Sequence, residues 1–399
     1  MTPLERRAST SLASIFALRM LGLFLVLPVF ALEARQYPGG EDPALLGLAM
    51  GIYGLTQAFL QLPFGMASDR FGRKRVIVLG LIIFALGSFW AAGATDLTGL
   101  LLGRSLQGAG AVSAAVTALL ADLTRDEVRT KAMAMVGASI GLMFALSLVV
   151  APLLAAAIGL SGLFVLTGIL ALLGVIVVVW VTPAAPPPLI AKGRGSLTNV
   201  LRHPGLLRLN FGVFVLHAVQ LAMWVAVPAM LVQAGLPKAE HWHVYLPAVL
   251  ASFVLMGGVF VMERRGHLKK VFLSAIALIA LVQLGLLLQS TATAHLWPMA
   301  ALMFAFFCGF NVLEAIQPSM ASRLATSEVR GAAMGVYNTL QSLGFFAGGW
   351  LGGALVKKWG SPALFLACAA AMLVWLVVAW PMQTPGRAAR VLAPVQPAV

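Results

Sequence analysis

Apolar runs of about 20 residues recur along the whole chain, and no other feature limits its fold as strongly. A helix of that length crosses the roughly 30 Å hydrocarbon layer of a bilayer. The 399 residues are 60% hydrophobic and 10% charged, against about 45–50% and about 25% in a soluble domain. Such a chain cannot hide its apolar side chains in a water-soluble core. Lipid offers no partner to an open backbone group, and the runs are too long and unbroken for barrel strands, so the spans are helices.

Twelve spans are expected, near 11–34, 44–67, 73–94, 97–122, 131–157, 160–182, 206–234, 241–262, 268–290, 295–321, 329–356 and 361–382. The first run is too long for a signal peptide's core and lacks a cleavage site, so it is read as retained span 1. A Pro-rich, Gly-containing stretch, TPAAPPPLIAKGRGSLTNVLRHP, separates two groups of six and reads as a linker. The predicted organisation is therefore a six-helix bundle over 1–182, a linker over 183–205, a second bundle over 206–383 and a disordered tail over 384–399. Cys308 and Cys368 both lie inside apolar runs and read as small buried hydrophobes.

The net charge of +14 is scattered through short loops between spans, a topology signal rather than a nucleic-acid surface. With the N-terminus in the cytoplasm, the inside segments hold 21 Lys and Arg residues and the outside loops hold 4. Both termini are therefore expected on the cytoplasmic side of a bacterial-type inner membrane. No Walker loop, no metal-ligand spacing and no nucleophile elbow appears. The expected partners are a small-molecule substrate, protons and membrane lipid, with no nucleic acid, cofactor, metal or catalytic residue, and a monomer suffices.

The halves repeat. DEVRTKAMA (126–134) matches SEVRGAAMG (327–335), and Pro28 corresponds to Pro228. Six spans per half make this a parallel repeat about an axis along the membrane normal. Between spans 2 and 3, GMASDRFGRKRV (65–76) concentrates five charges. Its form, with Gly65, Asp69, Arg70, Gly72, Arg73 and Lys74 in place, resembles the signature loop of the major facilitator superfamily. Over nearly the whole chain the resemblance is to YajR-type inner-membrane transporters of the drug:proton antiporter group. It implies an all-α integral membrane protein with the major facilitator fold, twelve transmembrane helices in two halves related by a pseudo-two-fold.

The resemblance also implies a latch. Asp69 would dock near the start of span 11, and Arg73 would link it to Asp122 at the end of span 4, favouring the outward-facing state. Gly72 permits the turn, and Gly65 would let another helix approach closely. The Gly-rich face 344–353 of span 11 suits the same close packing. In span 4, LLGRSLQGAGA resembles the family segment with a buried Arg, here Arg104, and Gln107 shares its face. In span 5, Gly137, Gly141 and Pro152 match part of an antiporter pattern, but Ala151 replaces a Gly and the trailing glycines are absent. Those transporters often carry a C-terminal ferredoxin-like domain; here a short tail follows span 12.

Polar groups at membrane depth are costly and mark function. Glu314 is the one acid well inside a span, and Asn311 and Gln317 share its face. An acid in a low-dielectric cavity is a candidate proton carrier, with His217 and the more peripheral Glu33 as further candidates. Arg19, Gln57, Gln61, Arg104, Gln107, Gln220, Trp224, Asn338 and Gln341 are expected to line the substrate cavity, with Gln283 as a further candidate. The reading is a secondary active transporter, proton-coupled, exporting small amphipathic molecules by alternating access. A proton symporter or uniporter on the same fold is the alternative. No enzyme motif appears, and the polar residues within the spans and the intact latch motif argue against a non-transporting sensor on this fold.

Overall fold

The computed structural model describes residues 1–184, 197–325 and 330–382. Among these residues there are only helices and connections. In chain order they are α1 (Pro3–Glu33), α2 (Pro43–Phe71), α3 (Arg73–Ala92), α4 (Leu97–Ala109), α5 (Ser113–Asp122), α6 (Asp126–Ile176), α7 (Leu197–Arg202), α8 (Pro204–Gln233), α9 (Trp242–Arg264), α10 (Leu268–Thr291), α11 (Leu296–Leu324) and α12 (Arg330–Ala379). The tail, most of the linker and residues 326–329 lie outside the described residues.

Eight of the described helices are long and apolar enough to cross a membrane. Two of them, α6 with 51 residues and α12 with 50, would each reach about 75 Å at 1.5 Å per residue. Each is broken once, at Gly159 (φ 65°) and Gly360 (φ 79°), a backbone state that only glycine adopts cheaply. Those breaks fall in the predicted gaps between spans 5 and 6 and between spans 11 and 12. Predicted span 4 is not one helix: it is interrupted at 110–112, between α4 and α5. There Gly110 lies so close to the Gly80 carbonyl oxygen of α3 that a Cβ would collide.

Helix α1 starts eight residues before the predicted span. Thr2 and Glu5 form a capping box, with Pro3 in the first turn, which satisfies amide groups that would otherwise be open. Glu5 is then bound by Arg125 Nε at 2.7 Å. The outer surface is apolar: Phe59, Trp180, Val254, Trp297 and Val377 are each at least 70% exposed. That is the surface of a protein whose solvent is lipid.

Helices α1 to α6 pack chiefly on one another, as do α8 to α12, and the strongest contact between the two groups is α2 against α12. Gly47, Gly51 and Gly54 of α2 meet Gly349, Phe346 and Ser342 of α12 backbone to backbone. Residues this small let helices approach well inside the usual 8–10 Å. The Gly-rich face of span 11 thus packs closely, but at the end of the molecule away from the 65–76 loop. At that same end Glu33 pairs with Lys238 at 2.5 Å and Asp42 with Lys357 at 2.7 Å. Both pairs tie one helix group to the other.

Candidate functional site

At the basic end, the charged loop holds itself in a fixed form. Gly72 has φ 96° and serves as the turn between α2 and α3. Arg73 pairs with Asp69, donates from Nε to Asp122 Oδ2 at 3.0 Å and from Nη1 to Ser68 Oγ at 2.7 Å. One planar guanidinium can serve three acceptors because its donors point in fixed, separate directions. Lys74 Nζ donates to the Thr182 carbonyl at 2.6 Å and Arg7 Nε to Val181 at 2.9 Å. These cations cap the C-terminal carbonyls beyond α6, where the helix dipole favours positive charge. Arg70 lies over the Phe71 ring. The partner that Asp69 was expected to meet at the start of span 11 falls outside the described residues. Gly65 is not a close-approach point, since a Cβ there would meet only Ala114 Cβ, at 3.6 Å. Cβ atoms at Gly137 and Gly141 would meet nothing within 4 Å, and Pro152 lies within α6.

Deeper in the first helix group sit two buried cations. Arg19 (1% exposed) and Arg104 (4%) come from α1 and α4. Arg19 Nη2 donates to the Tyr53 hydroxyl at 2.6 Å and reaches Gln57 Oε1 at 3.5 Å, and Nη1 donates to Ser113 Oγ at 3.1 Å. Arg104 donates to Gln107 Oε1 at 3.0 Å and to the Met50 carbonyl at 3.4 Å, while Gln107 Nε2 donates to Ser88 Oγ at 2.8 Å. Tyr53 joins the two sites, because its ring also lies 5.2 Å from the Arg104 guanidinium. No described carboxylate is within ion-pair distance of either Arg, and the Nε of each is buried without a partner. Taking a charge out of water costs several kcal/mol in a protein even after relaxation, and here only neutral groups offset that cost. Tyr53, Ser88 and Ser113 were not foreseen. A Tyr inside an apolar run is a polar group at membrane depth, and that signal would have singled out Tyr53.

The second helix group carries a titratable cluster. His217 (α8), Glu314 (α11) and Gln341 (α12) converge, with His217 Nε2 3.3 Å from Glu314 Oε2. Gln341 Nε2 lies 2.7 Å from His217 Nε2 and 3.5 Å from Glu314 Oε1. His217 Nδ1 is 2.8 Å from the Val213 carbonyl. A carbonyl only accepts, so Nδ1 carries a hydrogen and Nε2 is the variable site. Neutral, Nε2 accepts from Gln341 or from a protonated Glu314. Protonated, it donates to the carboxylate, and the amide turns to offer its oxygen. The His217 ring is buried, with Phe345 edge-on at 4.9 Å and Phe310 at 6.0 Å, whereas the Glu314 side chain is 40% exposed.

Other predicted cavity residues divide. Asn311 donates to Ser252 Oγ at 2.7 Å, and Gln283 donates to the Met223 sulfur. Gln61, Gln220 and Gln317 are buried with amide atoms left unpartnered. Asn338 is half-buried, and its backbone carbonyl accepts from Ser342. Trp224 belongs to the core rather than the cavity: it is 2% exposed and stands edge-on to Tyr245 at 5.4 Å. Glu33 lies at the far end, paired with Lys238. A small cavity of about 30 Å³ lies between the helix groups, lined by Leu23, Phe24, Met50 and Arg104 on one side and Leu221 and Phe345 on the other. Phe345 therefore connects this cavity to the His217 ring.

The sequence profile of the Major Facilitator Superfamily matches residues 12–349 and 209–396. The inner membrane transport protein YajR of Escherichia coli is 43% identical over 390 residues, covering 96% of this chain and 85% of that protein. The quinolone resistance protein NorA of Staphylococcus aureus is 26% identical over 353 residues, covering 84% and 86%. A solved structure of a mutant of the nucleoside transporter NupG superposes with a TM-score of 0.74 at 13% identity, covering 94% of this chain and 99% of that one. By family and by fold the protein is a membrane transporter and not an enzyme: the chain belongs to the Major Facilitator Superfamily and is similar to YajR over nearly its whole length.

Proposed function

We propose that the protein is a proton-coupled secondary transporter that exports small amphipathic molecules by alternating access between its two helix groups. The observation that carries the coupling is the His217–Glu314–Gln341 cluster. It offers two basic sites at 3.3 Å for one proton, with the acid partly exposed and the imidazole shielded. Protonation there changes the charge held between α8, α11 and α12, and coupling requires that proton and substrate each prefer one state. The bias of Lys and Arg supports an orientation with both termini and the 65–76 loop in the cytoplasm. In that orientation the Gly47–Gly349 seam and the two cross-group ion pairs close the outer side. NorA is named for quinolone resistance, which supports an amphipathic, drug-like cargo.

The test uses purified protein in liposomes loaded with a pH-sensitive dye, with an imposed proton gradient and a quinolone as cargo. Wild type should show quinolone-dependent proton movement, and Glu314→Gln should lose it while still exchanging labelled quinolone across the membrane. Full proton movement in Glu314→Gln would refute the assignment. A proton symporter or uniporter of a small metabolite is the second reading. It is favoured by Ala151 before Pro152 and by the missing glycines after it. Labelled cargo moving with the protons, or without any, would establish it.

A further inference from the structure

We propose that the basic end of the first helix group binds one anionic phospholipid, with its phosphate on Arg7 and Lys74 and an acyl chain against Trp180. The site goes beyond the transport reading and does not depend on it. Arg7 comes from α1 and Lys74 from α3. Both stand on three consecutive carbonyls where the last apolar run of this group ends. Arg7 Nε donates to Val181 at 2.9 Å and its Nη2 to Trp180 at 3.4 Å, while Lys74 Nζ donates to Thr182 at 2.6 Å. Trp180 is 70% exposed, and Val179 and Val181 beside it are exposed as well. Cations and an apolar surface that includes a Trp thus meet within three residues, the layering of a membrane–water interface.

Capping the helix end does not use up this charge. A helix C-terminus carries roughly half a negative charge, against two full positive charges here. No described carboxylate is within ion-pair distance of either cation, and the segment that follows, 183–205, contains no Asp or Glu. Among the described residues, Arg7 Nη1 and two of the three Lys74 ammonium hydrogens have no protein acceptor. The neighbouring Arg6 and Arg75 are exposed and strengthen the positive field. A phosphodiester supplies both the missing charge and the acceptor oxygens. A zwitterionic headgroup brings its own ammonium, which these cations repel. A free phosphate would leave Trp180 and Val181 uncovered, so the anion is a lipid's.

The test is native mass spectrometry of the purified full-length protein in an uncharged detergent. The probes are dioleoylphosphatidylglycerol, dioleoylphosphatidylcholine and free glycerol 3-phosphate. The first phosphatidylglycerol should bind at least about tenfold tighter than phosphatidylcholine, and millimolar glycerol 3-phosphate should not displace it. Arg7→Gln combined with Lys74→Gln should weaken phosphatidylglycerol by about 25-fold, roughly fivefold per cation, and phosphatidylcholine by less. Arg7→Lys combined with Lys74→Arg keeps both charges and should retain most of the preference. Lys269→Gln combined with Lys270→Gln removes two exposed cations at the start of α10 and should change the first affinity by less than about twofold. Equal affinity for the two lipids, or an equal loss in the Lys269/Lys270 control, would overturn the proposal. Displacement by glycerol 3-phosphate would also overturn it, in favour of a free-anion site. If the double Gln variant does not fold, Trp180 decides in the wild type. Bromine-labelled chains should then quench more Trp fluorescence on phosphatidylglycerol than on phosphatidylcholine, with the excess lost in Trp180→Phe. No such excess would refute the site.

Discussion

Gly47→Val drives a wedge into the α2–α12 seam. In the structure a Cβ at Gly47 would overlap the Gly349 carbonyl oxygen and stand 2.8 Å from the Gly353 Cα. Both obstacles are backbone, so no side chain can turn aside, and the helices must part. Overpacking of a close contact costs about 1–3 kcal/mol. In a protein that alternates between states closed at one end or the other, that cost falls only on the state in which this seam is shut. The equilibrium therefore moves toward opening by about 5- to 160-fold, at RT near 0.59 kcal/mol. The assay is a distance measurement between spin labels at Thr95 and Thr293, in the α3–α4 and α10–α11 loops at this end, with Cys308 and Cys368 replaced by Ala. Wild type should show mostly the short distance, Gly47→Ala a partial shift and Gly47→Val mostly the long one. Gly65→Ala is the control, because its Cβ has ordinary space. An unchanged distance distribution in Gly47→Val, with the protein folded, would refute the reasoning.

Arg73→Gln should destabilise the basic end by roughly 1 kcal/mol, the scale of partly exposed ion pairs, and Arg73→Lys should not restore it, because an ammonium cannot span Asp69, Asp122 and Ser68 at once. Thermal unfolding in detergent reads both. Gly72→Ala should cost about 1–3 kcal/mol in the same measurement, since a side chain is strained at φ 96°. The Asp42–Lys357 pair makes a pH prediction. The hydrogen bond from Lys357 holds the Asp42 carboxyl below its ordinary range, so the closed end is favoured by the pair above about pH 3.9 and loses that help only as pH falls through the lowered value. Both groups are partly exposed, so the effect is at most about 1 kcal/mol. The Thr95–Thr293 distance should stay constant from neutral to pH 5 and lengthen only below, and Asp42→Asn should remove that acid response.

The parts of the fold legible in the sequence were those written as local pattern. Apolar run length set the helices, and the turn at Gly72 followed from its place between two spans. The early start of α1 was equally local: Thr2 and Glu5 have the three-residue spacing of a capping box, yet the reading placed the boundary by hydropathy alone. The break at 110–112 was not local. Gly110 is small because α3 passes beside it, and nothing in α4 says which neighbour that is. The site divides in the same way. His217 and Glu314 each stood out as polar groups in apolar runs, but their 3.3 Å contact joins α8 to α11, and helix periodicity cannot choose between inward faces. Trp224 shares the His217 and Gln220 face by spacing, yet it turns into the core against Tyr245. Spacing places a residue on a stripe, and tertiary packing decides which part of that stripe meets water.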